Sequence, residues 1–308
     1  MSSSSQQLPT PLPEHFATLD DLAPFSRVQL IAFDLDGTLL KAPHEAPGDR
    51  IRNLQASAKS FGVRLTLATG RTLKGVQNTL HALGDLGAMP IILYNGSLVI
   101  EPGLGKVVAH RQIDKETTNA VLSAVRAYDV EIFIYTVNIS NGNQNVGSLE
   151  TVWYAGNGAT STHEYNGMPT VSLTSDVLDM PATAMLILAP TTAAQDRIKL
   201  ALQPIRGISI TSSGSRYIEI RPAGSSKATA MQDLCLSLHL QRSDVLAVGD
   251  NDNDVELLHW AGIGVSVKDA SSAAVAVSDY VARFGAERAA IEVLDLVRRA
   301  KRLYRAKR

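Results

Sequence analysis

The sequence predicts an α/β protein: a Rossmann-like, doubly wound parallel sheet interrupted by an inserted α+β domain. Three observations lead there. Near both ends of the chain, apolar strands without polar alternation, such as Val28 to Phe33, take turns with helical patterns, as parallel strands covered on both faces do. From Ser97 to about Arg216 the strands instead alternate polar and apolar, joined by glycine- and asparagine-rich turns, the pattern of a separate α+β segment. Several apolar strands also end in polar clusters, where an open parallel sheet carries its ligands.

The elements follow in order. The first 16 residues, "MSSSSQQLPTPLPEHF", lack the basic start and apolar stretch of a secretory signal, so residues 1–26 are expected to be a disordered leader. The expected core is 27–97 plus 216–308, with an insert at 98–215. After the first strand, Ile51, Leu54, Ala58 and Phe61 recur at helical spacing, and Gly62 suits the helix end. "VRLTLATG" reads as a second buried strand, Leu73 to Leu83 as a helix, and "PIILYNG" as a third strand of the same sheet. In the insert, "SLVIEPGLGKVVAHRQI" suggests a hairpin, and Asp114 to Tyr128 and Ala193 to Leu202 suggest helices. "EIFIYTV" and "TVWYA" read as half-exposed strands, and "TAMLILAP" and "ISITSSG" as further ones. The buried pattern returns with "YIEIRP", a helix from Ser226, "VLAVGD", a helix over Val255 to Trp260, "GIGVSV", a short helix, "DYVA" and a long C-terminal helix.

Composition narrows the function. The 308 residues carry a formal net charge of −1, which gives no electrostatic ground for nucleic acid or an anionic membrane as partner. No apolar run approaches the ~20 residues of a membrane span. The single cysteine, Cys235, rules out an internal disulfide; with Met231, Leu234 and Leu238 nearby it reads as a buried helix residue. A cytoplasmic location is the expectation. The 7 histidines are scattered without metal spacing. Asn95-Gly96-Ser97 and Asn138-Ile139-Ser140 match the glycosylation acceptor pattern, by chance in a chain without a secretory signal.

The polar strand ends carry the chemistry. Asp34, Asp36 and Thr38 close the first strand, Thr69-Gly70-Arg71 the second, and Asp250 to Asp254 a later one, while Lys227 opens a helix. Two aspartates one residue apart repel each other, so something must be held there. The carboxylates of Asp34 and Asp250 suit Mg²⁺, a hard cation that takes oxygen ligands, keeps several waters and borrows an oxygen from phosphate.

In this order, "DLDGTLL", "LATGRT", "SSKATAM" and "VGDNDNDVELL" resemble the four motifs of the haloacid dehalogenase superfamily of phosphohydrolases. The insert between the second and third motifs, preceded by "YNGS", resembles the Cof-type branch (subfamily IIB) with its large α/β cap. Similarity continues through "AGIGVSVKDASSAAVAVSDYV" and "GAERAAIEVL". The resemblance implies that Asp34 is a nucleophile forming an aspartyl-phosphate, and that Asp36 is general acid and then base. It also implies Mg²⁺ on Asp34, the Asp36 carbonyl and Asp250, and phosphoryl oxygens held by Thr69, Gly70, Lys227 and Asn253. Asp254 would orient Lys227 or a metal-bound water. Departures are small: Ala228 stands where the family commonly has glycine, and Asp252 is an added acid at a variable place in the fourth motif.

The expected activity is therefore Mg²⁺-dependent hydrolysis of a small phosphorylated metabolite, such as a sugar phosphate. A phosphomutase of the same superfamily would use the same aspartyl-phosphate. A phospho-accepting signalling module, from another class, would lack the DxDGT acid and the large insert. Substrate choice would lie in the cap, which would close over the crevice and exclude water. Between Leu98 and Arg216 stand 10 acidic and 8 basic residues, no cationic surplus for bisphosphates or nucleotides. "NISNGNQNVGS" reads either as a cap loop or as ordinary surface, and Tyr135, Trp153 and Tyr154 either as a stacking platform or as packing. "RRAKRLYRAKR" is basic at 7 of 11 positions and reads as a solvated helix end whose cations favour the negative pole of the dipole.

Overall fold

The computed structural model describes residues 9–14, 17–41, 48–52, 54–84, 89–138, 150–156, 168, 170–173, 178–213 and 216–306. In chain order the first part holds β1 (Thr10–Pro11), α1 (Leu19–Ser26), β2 (Leu30–Phe33), α2 (Leu54–Lys59), β3 (Arg64–Leu67) and α3 (Leu73–Leu83). There follow β4 (Ile91–Leu93), β5 (Leu98–Glu101), β6 (Lys106–His110), α4 (Lys115–Val125), β7 (Glu131–Val137), β8 (Glu150–Ala155) and β9 (Thr170–Ser172). Next come β10 (Ala184–Leu188), α5 (Thr192–Leu202), β11 (Ile208–Ser213) and β12 (Tyr217–Pro222). The chain ends with α6 (Lys227–Ser237), β13 (Val245–Gly249), α7 (Val255–Trp260), β14 (Ile263–Ser266), α8 (Ser272–Val277), β15 (Tyr280–Val281) and α9 (Ala286–Arg305).

Two compact units result: Met1–Thr69, Asn78–Ile91 and Ser226–Arg308 form the first, Gly70–Gln77 and Ile92–Ser225 the second. The first is built on a six-stranded sheet in the order β1-β15-β14-β13-β2-β3, parallel throughout. All four residues of β2 and all five of β13 are buried, which is what their unbroken apolar runs demand. In register, Phe33 pairs with both Leu67 and Val248. Asp34, Thr69 and Asp250 therefore leave the sheet together at its carboxyl edge.

The second unit holds a six-stranded sheet, β11-β12-β10-β7-β8-β9, antiparallel except for the β8–β9 pair. Its core joins Ile134, Met185, Ile187, Ile218 and Ile220 to Val121 and Val125 of α4 and Ile198 and Leu202 of α5. Both helices start on a side-chain cap. Asp114 accepts from the Thr117 N–H, and Thr191 from the Ala194 N–H, each satisfying one otherwise unpaired donor.

Four expectations need correction. Within the expected leader, residues 10–11 form a strand beside β15, and residues 19–26 form α1. The residues responsible are few but well placed: Leu12, Leu22 and Phe25 are buried, and a Thr18–Asp21 capping box starts the helix. Residues 1–8 and 15–16 lie outside the described residues. The strand expected as third in the core, β4, instead joins β5 and β6 in a three-stranded sheet. Tyr94 and Asn95 take φ of 50° and 52° directly after it and turn the chain back toward β5. "YIEIRP" is β12 of the second sheet rather than a core strand, because Tyr217–Pro222 pairs with β10 and β11. Finally, β7 is not half-exposed: six of its seven residues are buried, since it lies between β8 and β10.

Among the described residues no helix is long and apolar enough to cross a membrane. The basic C-terminal stretch is helical through Arg305. Two of its polar groups tie α9 to α1, Lys301 donating to the Ser26 carbonyl at 3.3 Å and the Tyr304 hydroxyl to the Leu19 carbonyl at 2.9 Å.

Candidate active site

Asp34 is the residue after β2, its N–H donating to the Val248 carbonyl at 2.9 Å. It is only 5% exposed. Lys227, the first residue of α6, is buried completely and donates to two carboxylates: Asp34 Oδ1 at 2.5 Å and Asp254 Oδ1 at 2.7 Å. A Ser226–Thr229 capping box starts α6 and so fixes where the lysine stem begins.

Asp254 is also buried, and both of its oxygens are engaged. While Oδ1 takes Lys227, Oδ2 accepts the N–H groups of Asp250 and Asn251 at 3.0 and 3.1 Å. It thus braces the loop after β13 as well as the lysine. Asp250 accepts from the Thr38 hydroxyl at 2.9 Å and lines a pocket of about 550 Å³ with Gly37, Lys41 and Val267. Gly37 has a φ of 91°, and a Cβ on it would stand 2.2 Å from Asp250 Oδ2; only glycine combines this turn with this approach.

Carboxylate oxygens of Asp34, Asp250 and Asp254 lie within 4.8 Å of one another. Burial, then Asp254, raise the Asp34 carboxyl well above the usual range, and Lys227 only partly offsets them. Burial and Asp254 likewise raise Asp250 to about 6. Burial alone would lower the Lys227 pKa, but Asp254 and Asp34 outweigh it and hold the ammonium protonated. Three carboxylates around one ammonium leave a surplus of negative charge. A hard divalent cation on oxygen donors is the group that such a set fits.

The other predicted residues are placed as follows. Asp36 is half-buried, and its backbone bridges to Leu40. Asn253 is half-buried in the short turn that precedes α7. Thr69 is 1% exposed at the edge of the first unit, and Gly70 begins the second. There a Cβ on Gly70 would approach Asn95 Nδ2 to 2.9 Å. Arg71 donates to the Gly75 carbonyl at 3.2 Å. Buried Ala228 keeps its place in α6, and the Asp252 carboxylate accepts from the Ser271 hydroxyl at 2.7 Å. Cys235 is buried, which pushes its thiol up to about 11; such a thiol is unreactive near neutral pH. Asn95 is buried as well and offers no acceptor for a glycan. The loop expected from "NISNGNQNVGS" lies outside the described residues beyond Asn138.

Some buried polar contacts next to the Thr69–Gly70 segment are not marked in the sequence. Glu150, buried on β8, accepts from the N–H groups of Leu73 and Lys74 at 2.7 and 2.8 Å and from the Tyr94 hydroxyl. Asn95 donates to Glu219 at 2.9 Å and its carbonyl accepts from buried Arg221 at 3.2 Å. No local pattern marks these partners, which are 56 to 126 positions apart. Tyr135 and Tyr154 pack, their rings 5.7 Å from that of Tyr94 and 5.2 Å from that of Phe133, and Trp153 lies against the core of the second unit.

The family model of haloacid dehalogenase-like hydrolases matches residues 31–294. The chain is 27% identical to YxeH of Bacillus subtilis (strain 168), over 79% of this chain and 88% of that one. It is 24% identical to the 5-amino-6-(5-phospho-D-ribitylamino)uracil phosphatase YwtE of the same organism, over 87% and 97%. The solved structure of BT4131, a sugar phosphatase of subclass IIB, superposes with a TM-score of 0.66 at 19% identity, covering 90% of this chain and 99% of that one. This chain belongs to the haloacid dehalogenase-like hydrolase family, as a phosphatase of its Cof-type branch.

Proposed function

We propose that the protein is a Mg²⁺-dependent phosphatase that passes a phosphoryl group to Asp34 and then to water, acting on a small monophosphorylated metabolite of the sugar or polyol kind. The observation that carries the reading is the Asp34–Lys227–Asp254 array beside Asp250: one buried ammonium among three carboxylates.

Asp34, Asp250 and the Asp36 carbonyl would hold the cation. When bound, it supplies positive charge that lets one anion approach another and offsets charge on the transferring group. The protein does the rest. A carboxylate oxygen of Asp34 forms a bond to phosphorus as the bond to the ester oxygen breaks. Asp36 gives its proton to the leaving alkoxide. Water then attacks phosphorus, Asp36 takes back a proton, and the Asp34–phosphorus bond breaks to free the carboxylate. Thr69, Gly70, Lys227 and Asn253 hold the phosphoryl oxygens, and Asp254 keeps Lys227 in place. Preorganised charge of this kind supplies most of the catalysis in phosphoryl transfer.

We assign substrate choice to the segment 98–215. Its 10 acidic against 7 basic residues favour a singly phosphorylated, otherwise neutral substrate. The ribityl phosphate named for YwtE and the sugar named for BT4131 support the same class. The test is phosphate release from a panel of phosphorylated metabolites and from an aryl phosphate, with Mg²⁺ and with EDTA. Release that prefers sugar or polyol monophosphates and stops in EDTA is expected. Metal-independent release, or full turnover by Asp34→Asn, would overturn the reading.

A further inference from the structure

The start of α3 follows directly on Thr69-Gly70-Arg71. A helix start leaves backbone N–H groups unpaired and is a natural seat for an anion. Here that seat is filled from within the protein. The Thr72 hydroxyl accepts from the Gly75 N–H at 2.9 Å, while Glu150 takes the Leu73 and Lys74 N–H groups, one on each oxygen.

The same carboxylate accepts from the Tyr94 hydroxyl at 2.5 Å. Tyr94 in turn donates its N–H to the Arg71 carbonyl at 3.1 Å. Its φ of 50° is uncommon for a side chain of that size, and such backbone persists only where surrounding contacts enforce it. Glu150 and Tyr94, bonded to each other, therefore hold the segment from Arg71 to Lys74 by three backbone hydrogen bonds within the second unit. Asn95 closes the cluster by packing its amide against Gly70.

We propose that Glu150 is a positioning residue for the phosphate-holding Thr69–Gly70 segment, acting through the first turn of α3. The proposal rests on the phosphatase reading above. A strand of the substrate-choosing unit thereby sets the geometry of a loop that binds the group all substrates share. Burial, which raises the Glu150 carboxyl above its usual range, makes each of its three bonds costly to lose.

The experiment compares wild type, Glu150→Gln and Tyr94→Phe for kcat, KM, inhibition by orthophosphate and thermal midpoint. In Glu150→Gln an amide NH₂ must face a backbone N–H that the carboxylate accepted. We expect KM and the orthophosphate inhibition constant to rise together by about tenfold or more, the scale of one lost charge-assisted bond, with kcat changing less. Tyr94→Phe, which keeps the ring and removes one donor, moves both constants the same way by a smaller factor. Should Glu150→Gln not fold, Tyr94→Phe decides. Unchanged KM and orthophosphate inhibition in the folded variants would overturn the proposal, as would a kcat that falls only with the folded fraction. No hydrolysis by wild type would overturn the phosphatase reading, and the proposal with it.

Discussion

Lys227 is the residue on which the proposed chemistry and the stability of the site both bear. It is completely buried between Asp34 and Asp254, and removing one partner of a buried ion array leaves charges that nothing compensates. We expect Lys227→Met to cost about 3–5 kcal/mol in urea unfolding and to abolish turnover. A fully active, equally stable variant would refute its place in the site. Gly37→Ala is expected to lose activity while most of the fold survives, because φ and the Asp250 contact both require glycine; activity assays with circular dichroism test this. His110 gives a pH dependence. Burial lowers its pKa to about 4, against an ordinary imidazole value near 6.5. As the pH falls below that value the unfolded chain takes up a proton that the folded protein refuses until about 4, so stability is present above the window and is lost through it. Urea midpoints measured between about pH 7 and about pH 4.5 should fall less for His110→Asn than for wild type. At this scale the aspartates and Lys227 were legible in the sequence because each sits at a strand end or helix start within a short motif. Glu150 was not, since a single glutamate in an apolar strand shows none of its three partners.

Elements were legible where burial is uniform. β2, β3 and β13 read as buried strands because both faces are covered, and α9 stands where a long C-terminal helix was expected. β4, β7 and β12 misled for related reasons. A short apolar run fits the middle of any sheet, and the sequence does not say which one. The N-terminal segment misled through composition: serines, glutamines and prolines outnumber the few apolar residues that anchor it. Phe25 is fully buried, 5.2 Å from the Tyr280 ring. Phe25→Ala is expected to destabilise the protein by about 3–5 kcal/mol, read as a lower urea midpoint. A change within error would restore the view of this segment as a passive leader.

At the scale of the whole molecule, an α/β unit carries Asp34, Lys227, Asp250 and Asp254, while Gly70–Gln77, next in the chain to Thr69, counts with the other unit. The two-part plan was legible from the change of strand pattern near Ser97. The division around Thr69 was not, because chain continuity hides which contacts a loop makes. The central claim is that Asp34 takes phosphorus covalently. The most direct measurement is an acid quench during turnover with Mg²⁺ and substrate, followed by mass spectrometry of the peptide bearing residue 34. The account predicts a phosphoryl group on Asp34 that hydroxylamine removes and that Asp34→Asn lacks. Steady phosphate release with no phosphorylated Asp34 at any quench time would contradict it.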